Sequence, residues 1–225
     1  MELDFDTERL DKNHKGGFCP IDLGDRIASR FIVLHKLGDG GFGTVWLVRD
    51  EQRRHGRYVA LKVVSAAISD EYESPAVVQQ LRDYERDRGY PGLFLLELER
   101  VFHTSRNGRH LCQVFPMLGP TLYTLNTRRY WLYASFVKPF ARQLATALDA
   151  MHSVGVCHGD FTLKNVAIRL DKSLDALTEK QLSDVFGEPQ TQSLDRSLSR
   201  SAITRAKLCS RSCKAIPATS RILVD

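Results

Sequence analysis

Three short runs of this 225-residue chain carry residue types that could do chemistry. The first, Leu37-Gly38-Asp39-Gly40-Gly41-Phe42-Gly43-Thr44-Val45, is rich in glycine. A backbone without Cβ atoms can approach phosphate oxygens closely and present N–H groups to them. The second, Val59-Ala60-Leu61-Lys62, sets one lysine among apolar residues; alone, it reads as a strand with its ammonium turned to solvent. The third, His158-Gly159-Asp160-Phe161-Thr162-Leu163-Lys164-Asn165, holds an Asp and an Asn at fixed spacing, which alone would suit a polar turn.

The elements around these runs decide how they are presented. FIVLHKL, TVWLV and RYVALKVV read as three strands in series, so the glycine run is a hairpin tip. That separates it from the dinucleotide fingerprint and the Walker A loop, both of which open a helix. Ser74-Pro75 marks a helix start, Val77, Val78, Leu81 and Tyr84 share one face, and Gly89 is placed to stop it. Two further strand-like runs, LFLLELERVF and HLCQVFPML, meet at an Asn107-Gly108 turn. FVKPFARQLATALDAMH then gives an amphipathic helix, with Val137, Phe140, Leu144, Ala147, Leu148 and Met151 on its stripe and Gly155 at its end. The third run follows a short VCH strand and precedes VAIRL. Thr178 and Gln181 form a capping-box pair for a helix through Phe186, ended by Gly187 and Pro189.

An apolar share of 43% and a charged share of 26% are ordinary for a globular protein. No apolar run approaches the roughly 18–20 residues of a membrane span, and MELDFDTERL does not read as a signal peptide. The five cysteines are therefore expected as reduced thiols, in a cytoplasmic or nuclear protein with no membrane association. Cys209 and Cys213 form a lone CxxxC, short of the four ligands of a structural zinc site. Residues 190–225 hold seven Lys or Arg against two Asp, which accounts for the whole net charge of +5. The remainder is neutral, so no direct nucleic-acid partner is expected.

In their order and spacing, the three runs resemble the ATP-binding and catalytic motifs of protein kinases, and more closely the SR-protein kinases. KLGDGGFGTVWLVRD is similar to that family's KLGxGxFSTVWLxxD, and the lead-in GGFCPIDLGDRIASRFIV to its GGYHPVxxGDxxxxRYxV. NGRHLCQVFPMLGPTL resembles NGxHxCxVFExLGxxL, and LTEKQLSDVFGEP the segment ending in LGEP after the family's catalytic loop. The resemblance covers roughly residues 12–190 and implies an α+β, protein-kinase-like bilobal fold. Its N-lobe would be an antiparallel sheet of five strands with one helix, and its helical C-lobe would be incomplete. The implied cofactors are ATP and Mg²⁺. Leu37, Gly38, Gly40, Phe42, Gly43 and Val45 would enclose the nucleotide with Ala60, and Lys62 would hold its α- and β-phosphates. Phe115 would be the gatekeeper, with Pro116 and Leu118 at the hinge. Asp160 would accept the substrate hydroxyl proton, Lys164 would neutralise charge, and Asn165 would ligate magnesium. The implied partner is a protein substrate with Arg-Ser-rich serines, as in splicing factors, acted on by a monomer.

Several positions depart from the family pattern. Gly159 replaces the arginine of H-R-D, leaving an activation-loop phosphate without that partner. Thr162 stands where a lysine is usual, and Pro116 where the hinge has Glu. The helix glutamate expected to pair with Lys62 is best matched by Glu73, one turn early. Ser220–Asp225 reads like the strand leading into DFG, with Asp225 as the second magnesium ligand; the competing reading makes 191–225 unrelated to kinases. The expected organisation is a lead-in over 1–30, an N-lobe over 31–118, a partial C-lobe over 119–190, and a basic Ser/Arg-rich tail over 191–225 without stable order. The expected function is serine/threonine protein kinase. Two alternatives stand beside it: an aminoglycoside/choline-type phosphotransferase, which shares the H-G-D-x-x-x-x-N loop, and an inactive pseudokinase acting as a binding module.

Overall fold

The computed structural model describes residues 12–71, 75–90, 92–127, 134–170, 174–187, 190–192, 203–205 and 222–224. Its strands are β1 (Arg26–Ile27), β2 (Phe31–Gly40), β3 (Gly43–Asp50), β4 (Tyr58–Val64), β5 (Glu99–Ser105), β6 (Gly108–Phe115), β7 (Leu118–Thr121), β8 (Val166–Arg169), β9 (Gln190–Gln192), β10 (Ile203–Arg205) and β11 (Ile222–Val224). Its helices are α1 (Pro75–Arg88), α2 (Leu122–Thr127), α3 (Ala134–Ser153) and α4 (Glu179–Phe186). Contacts sort them into two units. Unit 1 is Met1–Tyr72, Glu97–Pro116 and Leu174–Lys214; unit 2 is Glu73–Leu96, Met117–Ser173 and Ala215–Asp225.

Unit 1 is built on an antiparallel sheet in the order β1-β2-β3-β4-β6-β5. Alternation along its strands puts Trp46 and Val48, then Leu61 and Val63, then Cys112 and Val114 on one buried face. Cys19, Ile21 and Ile27 from the lead-in complete that cluster. Burying each large side chain there contributes about 1.5–3 kcal/mol. The lead-in is therefore one wall of the core. It also supplies a sixth strand, β1, which at two residues is too short to leave a period in the sequence. Burial pushes the Cys112 thiol up to about 12, so it packs as an apolar group and is no nucleophile.

The lead-in is fastened to the β5–β6 hairpin. Gly16 N–H donates to the Asn107 carbonyl at 2.7 Å, and Asn107 Nδ2 donates to the Phe18 carbonyl at 2.7 Å and to Asn13 Oδ1 at 3.0 Å. Ser105 pairs with Gly108, so Arg106 and Asn107 are the central turn residues, one position earlier than Asn-Gly chemistry predicts. Asn107→Ala would strand the buried Phe18 carbonyl. It is expected to cost about 1–3 kcal/mol in urea unfolding; a loss indistinguishable from zero would contradict this anchoring role.

At the far end of the sheet, Arg30 forms a buried fork with Asp50, at 2.7 and 2.6 Å, and reaches Glu99 at 2.8 Å. The LFLLELERVF run joins the ladder only from Glu99. Before it, Glu97 turns inward to meet Arg100 and Gln113. The chain returns to unit 1 at Leu174. There Asp175 Oδ1 accepts from the Arg57 and Tyr58 N–H groups at 2.9 and 3.2 Å, and Tyr58 donates its hydroxyl to the Leu177 carbonyl. Helix α4 follows, opened by the expected Thr178–Gln181 capping box.

In unit 2, Leu81 of α1 shares a cluster with Phe94 and with Ala147, Ala150 and Met151 of α3. The expected stripe on α3 is buried at Phe140, Ala147 and Met151 and opens to solvent at Val137. A small sheet, β7-β8-β11, lies in the same unit, and Val166 and Ile168 of β8 pack on Phe140 and Leu122. Within the expected tail, β9 pairs with β10, and β11 pairs with β8 inside the run read as leading into DFG. The other tail residues, Cys209 and Cys213 among them, lie outside the described residues. No helix among the described residues is long and apolar enough to cross a membrane.

Candidate active site

The register of unit 1 gathers predicted residues from three strands onto one face. Val45 pairs with Lys62, which pairs with Gln113; Leu47 pairs with Ala60, which pairs with Phe115. Directly opposite residues project to the same side of an antiparallel sheet. Val45, Ala60, Lys62 and Phe115 therefore share the face opposite the core cluster. Lys62, Val45 and Phe115 are half-buried, and Ala60 is buried. Leu37 and Pro116 are half-buried too.

The glycine run closes β2 onto β3, with Gly40 paired to Gly43 and Phe42 exposed at the tip. Gly43 is required by the protein itself, since a Cβ there would come within 2.2 Å of the Val63 carbonyl oxygen. At Gly38 and Gly40 a Cβ would meet nothing within 4 Å, and neither residue has a positive φ. Internal packing thus gives no reason for glycine at these two positions. The Lys36 ammonium lies buried beneath the run, 3.1 Å from Asp39.

The residues of the third run come together within unit 2. Asn165 Nδ2 donates to the Asp160 carbonyl at 2.8 Å and to Asp160 Oδ2 at 2.9 Å. This fixes the amide so that Asn165 Oδ1, its one atom able to ligate a cation, carries no hydrogen bond among the described residues. Asp160 itself is exposed. His158 holds the loop: Asp160 N–H donates to its Nδ1 at 3.3 Å, and its ring meets Phe161 edge-on at 5.7 Å. Gly159 has φ +75, a conformation in which a side chain would be strained. Lys164 Nζ sits 4.9 Å from the centre of the Tyr123 ring. Tyr123, Asp160, Thr162, Leu163, Lys164 and Asn165 line an open depression of about 540 Å³.

Leu118 opens β7 in unit 2. Glu73 and Asp225 lie outside the described residues. Among the described residues there is no group of three or more His, Cys, Asp or Glu able to hold a metal. The residue sequence reasoning missed here is Tyr123. It lies on the short helix α2, where no periodic pattern marks it.

Comparison with known proteins gives a consistent result. The protein kinase domain family matches residues 31–193. Protein kinase dsk1 of Schizosaccharomyces pombe is 35% identical over 180 residues, covering 76% of this chain and 32% of the relative. Serine/threonine-protein kinase SRPK of Physarum polycephalum is 31% identical over 174 residues, covering 74% and 40%. SRSF protein kinase 3 of Homo sapiens is 32% identical over 162 residues, covering 68% and 28%. The chain thus spans well under half the length of these curated relatives. A solved kinase-domain crystal structure superposes with a TM-score of 0.58 at 20% identity, over 91% of this chain and 52% of its own.

Proposed function

This chain belongs to the protein kinase family, related to the SRPK serine/threonine kinases, and on that footing we propose that it binds MgATP and directs the γ-phosphate to serine hydroxyls. The observation that carries the reading is the shared face of Val45, Ala60, Lys62 and Phe115 beside a glycine hairpin that is open at Gly38 and Gly40. The apolar members suit an adenine ring, and Leu37 and Phe42 border the same hairpin. Lys62 supplies the positive charge for phosphate oxygens. Pro116 retains the carbonyl that an adenine amine would bond, and loses only an N–H; Leu118 is carried forward as the second expected hinge residue.

In unit 2, Asp160 would accept the proton of the incoming serine hydroxyl. Lys164, already beside Asp160 in the depression, would offset the charge that develops on the transferred group. Asn165 Oδ1 would hold Mg²⁺, with Asp225 as the expected second ligand. When bound, the ion screens the charge on the phosphates. Glu73 is carried forward as the candidate partner of Lys62. The proposed substrates are Arg-Ser-rich proteins met in the cytoplasm or nucleus, because the relatives are SRPK and SRSF protein kinases.

Lys62→Met tests the nucleotide half of this reading. It removes a charge-assisted contact, so MgATP affinity measured by calorimetry should fall about 10–100-fold. Unchanged affinity would refute the assignment of this face. Nucleotide binding without phosphorylation of Arg-Ser peptides would instead favour the binding-module alternative.

A further inference from the structure

A polar network lies in register with Lys62 on the proposed nucleotide face, and neither the sequence motifs nor the family resemblance assigns it a role. Across the sheet, Lys62 pairs with Gln113, and Gln113 pairs with Arg100 on β5. The three side chains form one row on the same face. Glu97, which is 7% exposed, ends that row: one carboxylate oxygen takes the Arg100 guanidinium and the other takes the Gln113 amide.

The chemistry of the carboxylate fixes the amide. Ionised Glu97 only accepts, so the Gln113 nitrogen must face it, and the Gln113 oxygen must face away. That oxygen is fully buried and has no hydrogen-bond partner among the described residues. Gln113 itself is only 5% exposed. A buried acceptor without a donor is costly, by about 1–3 kcal/mol, and such atoms mark places where a partner is missing. Its neighbour in register on one side is Arg100, whose guanidinium is drawn to Glu97. Its neighbour on the other side is Lys62, a side chain that only donates. Opposite Cβ atoms in such a pair stand about 4.5–5.5 Å apart, within easy reach of a lysine.

We infer that Gln113, oriented by Glu97, is a positioning residue for Lys62: its Oε1 is the seat that receives the ammonium when nucleotide is bound and steers it toward the phosphates. Glu97 then acts at one remove, as the anchor that sets which end of the amide points at the lysine. This rests on the nucleotide reading of the Lys62 face, and deepens it by adding a neutral acceptor on a neighbouring strand to the expected carboxylate of Glu73.

The test is a double-mutant cycle on the full chain, with MgATP affinity as the readout and thermal unfolding as the check on folding. Gln113→Met keeps the shape and removes both polar atoms. It is expected to lower affinity about 5–10-fold, the scale of one ordinary net hydrogen bond and less than the loss of the lysine itself, because the ammonium stays. In a Lys62→Met background the same Gln113→Met change should have no further effect, because its influence passes through the lysine. Glu97→Gln keeps an acceptor for Gln113 and should lose less than Gln113→Met. Parental affinity in Gln113→Met, with Lys62→Met still impaired, would overturn this inference and leave the nucleotide reading standing. Equal losses in the two backgrounds would also overturn it, by showing that Gln113 meets the nucleotide directly or serves only the fold. Parental affinity in Lys62→Met would overturn both.

Discussion

Asp160→Asn is expected to leave MgATP affinity close to parental while phosphorylation of an Arg-Ser peptide falls about 10²–10⁴-fold, the usual contribution of a positioned base. The substitution is nearly isosteric. The Asp160 backbone carbonyl still accepts from Asn165 Nδ2, and so does the remaining side-chain oxygen, so the loop geometry that aims Asn165 Oδ1 is kept. What is lost is an atom able to take a proton. Calorimetry for binding and a radiolabelled peptide assay for transfer separate the two effects. A variant that phosphorylates at the parental rate would remove Asp160 from the role of base. A variant that loses nucleotide affinity instead would show that the exposed carboxylate acts on the nucleotide.

The second large effect concerns stability. Asp50→Ala is expected to cost about 3–5 kcal/mol in urea unfolding, because it leaves a buried guanidinium without its bidentate partner. The carboxylate also accepts from the Gln52 and Arg54 N–H groups, so the turn after β3 loses its cap in the same step. Burial pushes the Asp50 carboxyl up, but the hydrogen bonds and charge of Arg30 and the two backbone donors outweigh it and hold the group below its usual range. Glu99 is lowered in the same way against its own burial. Folding therefore releases protons from both groups. Their stabilisation is complete above the unfolded carboxylate values near 4 and is lost as pH falls through the lower folded values. The parental protein should weaken steeply below about pH 4, and Asp50→Ala should show a shallower acid dependence. A variant with parental stability at pH 7 would show that the fork adds nothing.

Legibility in the sequence followed the range of the chemistry. The glycine hairpin, VALK and the HGD run were readable because each packs its constraint into a few adjacent residues. The α3 stripe and the Thr178–Gln181 cap were readable for the same reason. The role of the lead-in was not: Cys19, Ile21 and Ile27 become core only through contacts with β3, β4 and β6, which no local pattern encodes. Gln113 and Glu97 left one usable signal, a polar residue inside the otherwise apolar LCQVF run. Such a residue must find a partner or cost stability, but only cross-strand register says that its neighbour is Lys62. Tyr123 left none, since its contact with Lys164 depends on where a short helix meets a loop forty residues later.

The bond from Asp175 to the Arg57 N–H joins groups 118 residues apart in the chain. During synthesis the β3–β4 hairpin emerges long before the residue that caps it, so the sheet must first close with two turn amides bonded to water. Fastening them later closes a very long loop, at an entropic cost of about 4 kcal/mol by simple chain statistics. Local hairpins form in microseconds, whereas contacts of such separation arrive late. The expected order is therefore sheet first and strap last. A ribosome-stalled chain ending before Leu174 would show β3–β4 amides that exchange faster than those of the complete chain, at Arg57 and Tyr58 before anywhere else in the sheet.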